Sequence, residues 1–186
     1  MEIFYIEIEK FKKQHNKTFL EQYDDIGCKN EKRFFEYTIG RYLVKTVAKK
    51  IYNIENTDIV FNNNKPVFKN EKLNFNISHS KNIVLACFDN FPCGIDIEYI
   101  KERNLEKLSK YFKCNFKNSE DFYKFWTLKE AKYKLSDEIK SIYSKKFKDK
   151  YYITALSSAE TEFKISEFDM QKVWFTGFKC LSTKIR

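Results

Sequence analysis

The 186 residues carry a formal net charge of +9, with 33% charged and 18% aromatic residues, a length and composition for one compact domain or two small lobes on a shared core. The charge calls for a polyanionic partner (nucleic acid, a membrane surface, a phosphorylated small molecule or an acidic protein) and by itself does not choose among them. Five cysteines (28, 87, 93, 114 and 180) without a Cys-x-x-Cys pair, and only two histidines (15 and 79), argue against a disulfide framework, a zinc site and a His-rich metal site.

Residues 3–8 alternate and predict a strand with Phe4, Ile6 and Ile8 on one face. Residues 10–28 are mixed and helical in part. A longer helix starts at Asn30, where Phe35, Ile39, Leu43, Val47 and Ile51 recur every four residues as an inward stripe. Its other face carries Lys32, Arg33, Arg41, Lys45, Lys49 and Lys50, a solvated basic face on which Arg41, beside Gly40, is best placed to meet an anion. Residues 58–61 and 65–68 are extended around an Asn62-Asn63-Asn64 turn, and residues 73–80 and 83–88 form two strands about the polar break Ser80-Lys81-Asn82. Residues 104–111 and 119–135 are helical, the second with Ser119 as N-cap. Residues 151–156, 162–168 and 173–180 predict three more strands. Strand-rich segments without regular βαβ alternation make the fold class α+β with antiparallel sheets.

The chemistry gathers at Cys93-Gly94-Ile95-Asp96-Ile97-Glu98. Alternation on a strand puts Asp96 and Glu98 on one face, about 7 Å apart, with Ile95 and Ile97 on the other. Two acids that close repel, and an oxygen-only pair suits a hard cation such as Mg²⁺; an exposed edge strand with solvated acids gives the same pattern. Ser78 and His79 end a strand close to where these acids begin another. Trp126, Glu130 and Lys134 lie on one face of the later helix, where Glu130 and Lys134 also fit an ordinary surface pair.

Taken in order, Phe75-Asn76-Ile77-Ser78-His79-Ser80, Gly94-Ile95-Asp96-Ile97-Glu98 and Phe125-Trp126-Thr127-Leu128-Lys129-Glu130-Ala131-Lys132-Tyr133-Lys134 closely resemble the motifs of the 4′-phosphopantetheinyl transferases of the surfactin-synthetase-activating type. Lys65-Pro66 and Gly40 match further elements, and the resemblance covers roughly residues 30–135. It implies two similar α+β halves, here 1–94 and 95–186, with a cleft between them, in a cytoplasmic monomer. The reaction implied moves the phosphopantetheine arm of coenzyme A onto a serine of an acidic acyl or peptidyl carrier protein. Asp96, Glu98 and Glu130 would hold Mg²⁺ or Mn²⁺. Lys134 would contact phosphate, and the base would be Glu130, acting directly or through metal-bound water. Ser78 and His79, with Lys65 and Arg41, would bind the 3′-phosphate or adenosine end of coenzyme A.

Two departures stand out. Residues 111–116 lack the further acid that members of that family often carry, and Leu135-Ser136-Asp137-Glu138-Ile139 lacks the usual Gly-containing loop. A metal-dependent nuclease or phosphodiesterase would use the same three acids but leaves Ser78-His79 unexplained. A basic nucleic-acid-binding module would explain the charge but not the acids. No leader pattern and no long apolar run is visible, so a soluble protein with neither nucleic acid nor membrane as partner is the expectation.

Overall fold

The computed structural model describes residues 1–63 and 65–169. At its centre lies β5 (Ile83–Asp89), an almost unbroken apolar run. Such a run forms a strand covered on both faces. Ile83, Leu85 and Cys87 join one core and Val84, Ala86 and Phe88 another. β5 pairs antiparallel with β1 (Glu2–Glu7) and with β4 (Asn74–Ser80), while β9 (Lys164–Glu167) adds to β1 in parallel. The sheet order is thus β4-β5-β1-β9, and the all-antiparallel expectation needs this one correction.

On one side of this sheet lies α3 (Glu31–Lys50), preceded by the short helices α1 (Ile8–Gln14) and α2 (Lys17–Glu21). Asn30 caps α3 by accepting from Arg33 N–H, and Phe35, Ile39, Leu43 and Val47 are buried as the four-residue spacing requires. Arg41 leaves the expected solvated face: it is 3% exposed. A small hairpin, β2 (Ile59–Asn62) and β3 (Lys65–Phe68), follows α3.

The second sheet has the order β6-β8-β7, from β6 (Cys93–Tyr99), β7 (Ser141–Phe147) and β8 (Tyr151–Ser157), all antiparallel. β7 is an addition to the sequence expectation, because its lysines mask the alternation of a strand with one partly exposed face. Cys93, Ile95, Ile97, Ile153 and Ala155 pack toward β5, and the opposite face meets α5 (Ser119–Leu135). α4 (Leu105–Phe112) lies against α5 through Leu105, Leu108 and Phe112. α5 is capped by Asn118, which accepts from Asp121 N–H, one residue before the expected Ser119. The expected strand at 173–180 lies outside the described residues.

Two local features set where α5 sits. Thr127 and Thr154 hydroxyls meet at 2.8 Å and pin the helix to β8. At Gly94 a Cβ would stand 2.2 Å from the carbonyl oxygen of Ala131 and 2.6 Å from the nitrogen of Leu135. No side chain fits there, so Gly is what lets β6 and the C-terminal turn of α5 touch. Where a Gly loop was expected, Ser136 takes the left-handed conformation at the helix end (φ 56°), and its hydroxyl donates to Tyr133 O.

Gly94→Ala should therefore destabilise the fold by about 3 kcal/mol or more, because backbone and not a flexible side chain must give way. Equilibrium denaturation measures this, and an unchanged midpoint would mean that β6 and α5 separate freely.

Candidate active site

β6 is an edge strand, and its N–H groups at 95, 97 and 99 have no strand partner. Side chains from β4 supply one. Ile95 N–H donates to Asn76 Oδ1 (3.2 Å), Ile97 N–H to Ser78 Oγ (3.2 Å) and Tyr99 N–H to Ser80 Oγ (2.9 Å). Residues 76, 78 and 80 share one face of β4, so a polar residue at each alternate position forms a ladder with the same two-residue period as the strand it serves. Buried donors left unpaired would each cost about 1–3 kcal/mol.

The same hydroxyls reach the acids. Ser78 Oγ donates to Asp96 Oδ1 (2.8 Å) and Ser80 Oγ to Glu98 Oε2 (3.1 Å). Asp96 is 6% exposed, so the solvated-edge reading does not describe it. Lys134 Nζ, from the last turn of α5, donates to Asp96 Oδ1 (2.7 Å), Ile95 O (3.1 Å) and Ser78 Oγ (3.2 Å). Asp96 Oδ2 is buried with no hydrogen-bond partner. Burial and then the nearby Asp96 charge raise the Glu98 carboxyl above its ordinary value, opposed by Ser80, Trp126 and Lys134. Glu130 is half-buried on α5, one turn after Trp126 and one before Lys134. Among the described residues no three His, Cys, Asp or Glu side chains cluster tightly enough to hold a metal; a lysine ammonium supplies the positive charge at Asp96.

His79 faces the opposite side of β4 from Ser78 and Ser80. Its Nδ1 lies 3.7 Å from Glu36 Oε1, and Glu36 also pairs with Lys32 (3.6 Å). Although 47% of the side chain reaches solvent, crowding at the cleft wall lowers the imidazole pKa, opposed by Glu36 and reinforced by Lys134 and Lys32. Two cavities meet at His79. One of about 330 Å³ includes Ser80, Glu98, Lys101 and Arg103 in its lining, and one of about 290 Å³ includes Tyr37, Arg41, Phe61 and Pro66. The Arg41 guanidinium donates from Nε and Nη2 to Tyr37 Oη, and its Nη1 is buried without a partner. Lys65 Nζ donates to Cys93 O (3.4 Å) at the start of the acid-bearing strand.

Asp96, Ser78 and Lys134 are thus in direct contact, Glu98 is one strand period away, and His79 and Arg41 line the adjoining cavity. Ser78 has its hydroxyl committed inside the protein, to Asp96, Ile97 and Lys134. Asn76, Ser80 and Glu36 belong to the site but were not singled out from the sequence. The first two were legible as alternation with Ser78; Glu36 sits in a helix rich in charge and carries no such signal.

No family model matches the chain. Curated relatives do. The protein is 33% identical over 115 residues to the 4′-phosphopantetheinyl transferase gsp of Aneurinibacillus migulanus, covering 55% of this chain and 48% of that one. It is 33% identical over 107 residues to the 4′-phosphopantetheinyl transferase Sfp of Bacillus subtilis (strain 168), with 50% and 48% covered. It is 30% identical over 112 residues to the 4′-phosphopantetheinyl transferase psf-1 of Bacillus pumilus, with 53% and 48% covered. The chain resembles the 4′-phosphopantetheinyl transferases. It spans about half the length of the curated relatives it matches.

The two acids should respond to neutralisation in opposite ways. Glu98 holds its proton more tightly in the fold than in the unfolded chain, so its ionisation opposes folding as pH rises. Glu98→Gln should melt at or above the parent at pH 7.5 and lose that advantage by pH 4. Asp96→Asn should melt lower at pH 7.5 by about 1–3 kcal/mol, because Lys134 and Ser78 lose a charged acceptor. Thermal melts across pH check both. A destabilised Glu98→Gln at neutral pH would show that its contacts outweigh the repulsion.

Proposed function

We propose that this protein transfers the 4′-phosphopantetheine arm of coenzyme A to a serine hydroxyl of an acidic acyl or peptidyl carrier protein, with release of adenosine 3′,5′-bisphosphate. The observation that carries this reading is Asp96, buried, with one oxygen held by Ser78 and Lys134 and the other without a partner, in a chain similar to proteins named for that activity. The fold is read as two similar halves, 1–94 and 95–186, meeting along β4 and β6, and acting as a cytoplasmic monomer.

The donor chemistry fits a hard divalent cation. Asp96 Oδ2 lacks a donor, and Glu98 carries an acid whose ionisation its surroundings oppose. Asp96 and Glu98, with Glu130 drawn in from α5 because the three do not cluster closely enough as they stand, would hold Mg²⁺ or Mn²⁺, which when bound supplies charge neutralisation at the pyrophosphate oxygens. The remaining work falls to the chain's own groups. Lys134 holds a positive charge at the edge of the acid pair, where a phosphate oxygen gains from it. Glu130 takes the proton from the carrier serine as its oxygen bonds to phosphorus and the bond to the bisphosphate leaving group breaks. His79, with Arg41 and Lys65 nearby, takes the 3′-phosphate and adenosine end. Ser78 fixes Asp96 and bonds the strand beneath it.

Incubation of purified apo carrier proteins with coenzyme A, Mg²⁺ and this protein should add the mass of one phosphopantetheine to the carrier serine, read by intact-mass spectrometry. No mass gain on carriers of fatty-acid, polyketide or peptide synthesis would sink the assignment. His79→Ala should weaken coenzyme A binding by about 1.5–3 kcal/mol and binding of dephospho-coenzyme A far less. Because burial lowers the His79 pKa below its ordinary 6.5, the imidazole gains its charge only on the acid side of that value, and coenzyme A binding by the parent should strengthen as the pH falls below about 6.5. Equal losses for both ligands in calorimetry would remove His79 from the phosphate site.

A further inference from the structure

The donors of Lys134 are all in use inside the protein. Its Nζ donates to Asp96 Oδ1 (2.7 Å), Ile95 O (3.1 Å) and Ser78 Oγ (3.2 Å). An ammonium has three N–H groups, so these acceptors take all of them and leave none for a phosphate oxygen. The acceptors sit on β4 and β6, which the side-chain ladder holds in register. The backbone that carries Lys134 is held as well. Ala131 and Leu135, in the same stretch of α5, are 0% and 1% exposed, and both lie against Gly94. The Lys134 side chain itself is 25% exposed, on a flexible four-carbon stem. Movement at this point is therefore confined to one side chain.

We propose that the Lys134 ammonium is an exchangeable counter-ion: it neutralises Asp96 while no divalent cation is bound and is expelled from that carboxylate when one binds, which frees its donors for phosphate. The inference rests on the cation reading above, and not on which carrier is modified. Charge decides the exchange. Asp96 is 6% exposed, and a bare carboxylate so placed is costly, so the resting fold keeps a positive charge beside it. Asp96 Oδ2 is buried with no partner, and one ammonium leaves that oxygen unsatisfied. A divalent cation on the same carboxylate would stand against the ammonium, and two cations sharing one buried acid repel strongly. The group on the flexible stem is the one that can leave. Linkage makes the effect reciprocal: whatever the cation must displace weakens its binding, so removing the Lys134 charge must strengthen it.

The test is a Mn²⁺ titration of the full chain without coenzyme A, at constant ionic strength, with free Mn²⁺ read by electron paramagnetic resonance. Lys134→Met keeps the reach of the stem and removes the charge. It should bind Mn²⁺ about tenfold more tightly than the parent, an ordinary size for coupled sites. A second readout needs no substitution. In the parent, an amine-acylating reagent should modify Lys134 faster with Mn²⁺ than without, measured by peptide mass spectrometry against the exposed Lys129 and Lys132 on the same helix. Should Lys134→Met fail to fold, this rate decides alone. Equal or weaker Mn²⁺ binding by a folded Lys134→Met overturns the exchange, as does an acylation rate that Mn²⁺ leaves unchanged. Either result leaves the cation site standing if the parent binds Mn²⁺, and leaves the transferase reading standing if a carrier gains mass. If neither the parent nor Lys134→Met binds Mn²⁺, the cation reading falls and the exchange with it.

Discussion

The bonds from β4 side chains to the free edge of β6 hold the four-stranded and three-stranded sheets in register at the site. An edge strand ordinarily leaves a row of donors for solvent or for another strand. Here Asn76, Ser78 and Ser80 take those donors one by one. Because the period of the ladder equals that of the strand, a slip of one residue would present Ile77 and His79 in place of the hydroxyls and break all three bonds. The acids on β6 are therefore fixed relative to His79 on the other face of β4, and the distance between them does not depend on a loop.

The electrostatics follow from that geometry. A buried aspartate beside a partly buried glutamate is costly unless each is offset. Ser78 and Ser80 each give one hydrogen to one acid, and Lys134 gives its charge to Asp96. The offset is incomplete: Asp96 Oδ2 has no donor and Glu98 ionises less readily than usual. A site left short of positive charge in this way is primed for a cationic or proton-bearing ligand. Lys134 arrives there only because Gly94 lets the end of α5 lie on β6, so a missing side chain on the strand sets the position of a charged one on the helix.

Much of this was legible in the amino-acid order. Period-two alternation gave β1, β4 and β6 and placed Asp96 and Glu98 on one face; period-four spacing gave α3 and α5; and the order of the three motifs gave the resemblance that the curated relatives bear out. These are local properties, carried by neighbours within one element. β7 escaped notice because lysines on a half-exposed strand blur the alternation, and the parallel pairing of β9 with β1 joins residues about 160 apart, which no local pattern encodes.

What the tertiary structure decided is which polar groups are buried and whom they meet. The sequence offers Arg41 as one of several basic residues on α3; packing of Tyr37 and the β2–β3 hairpin around it makes it the buried one. It offers Glu130 and Lys134 as a possible surface pair; the close approach at Gly94 turns Lys134 toward Asp96 instead. It offers Ser78 as a strand-end hydroxyl, and the facing edge of β6 commits that hydroxyl to three partners. The reason is the same each time. Side-chain type and face are fixed by the chain's own periodicity, whereas desolvation and pairing depend on a second element brought up from elsewhere in the sequence.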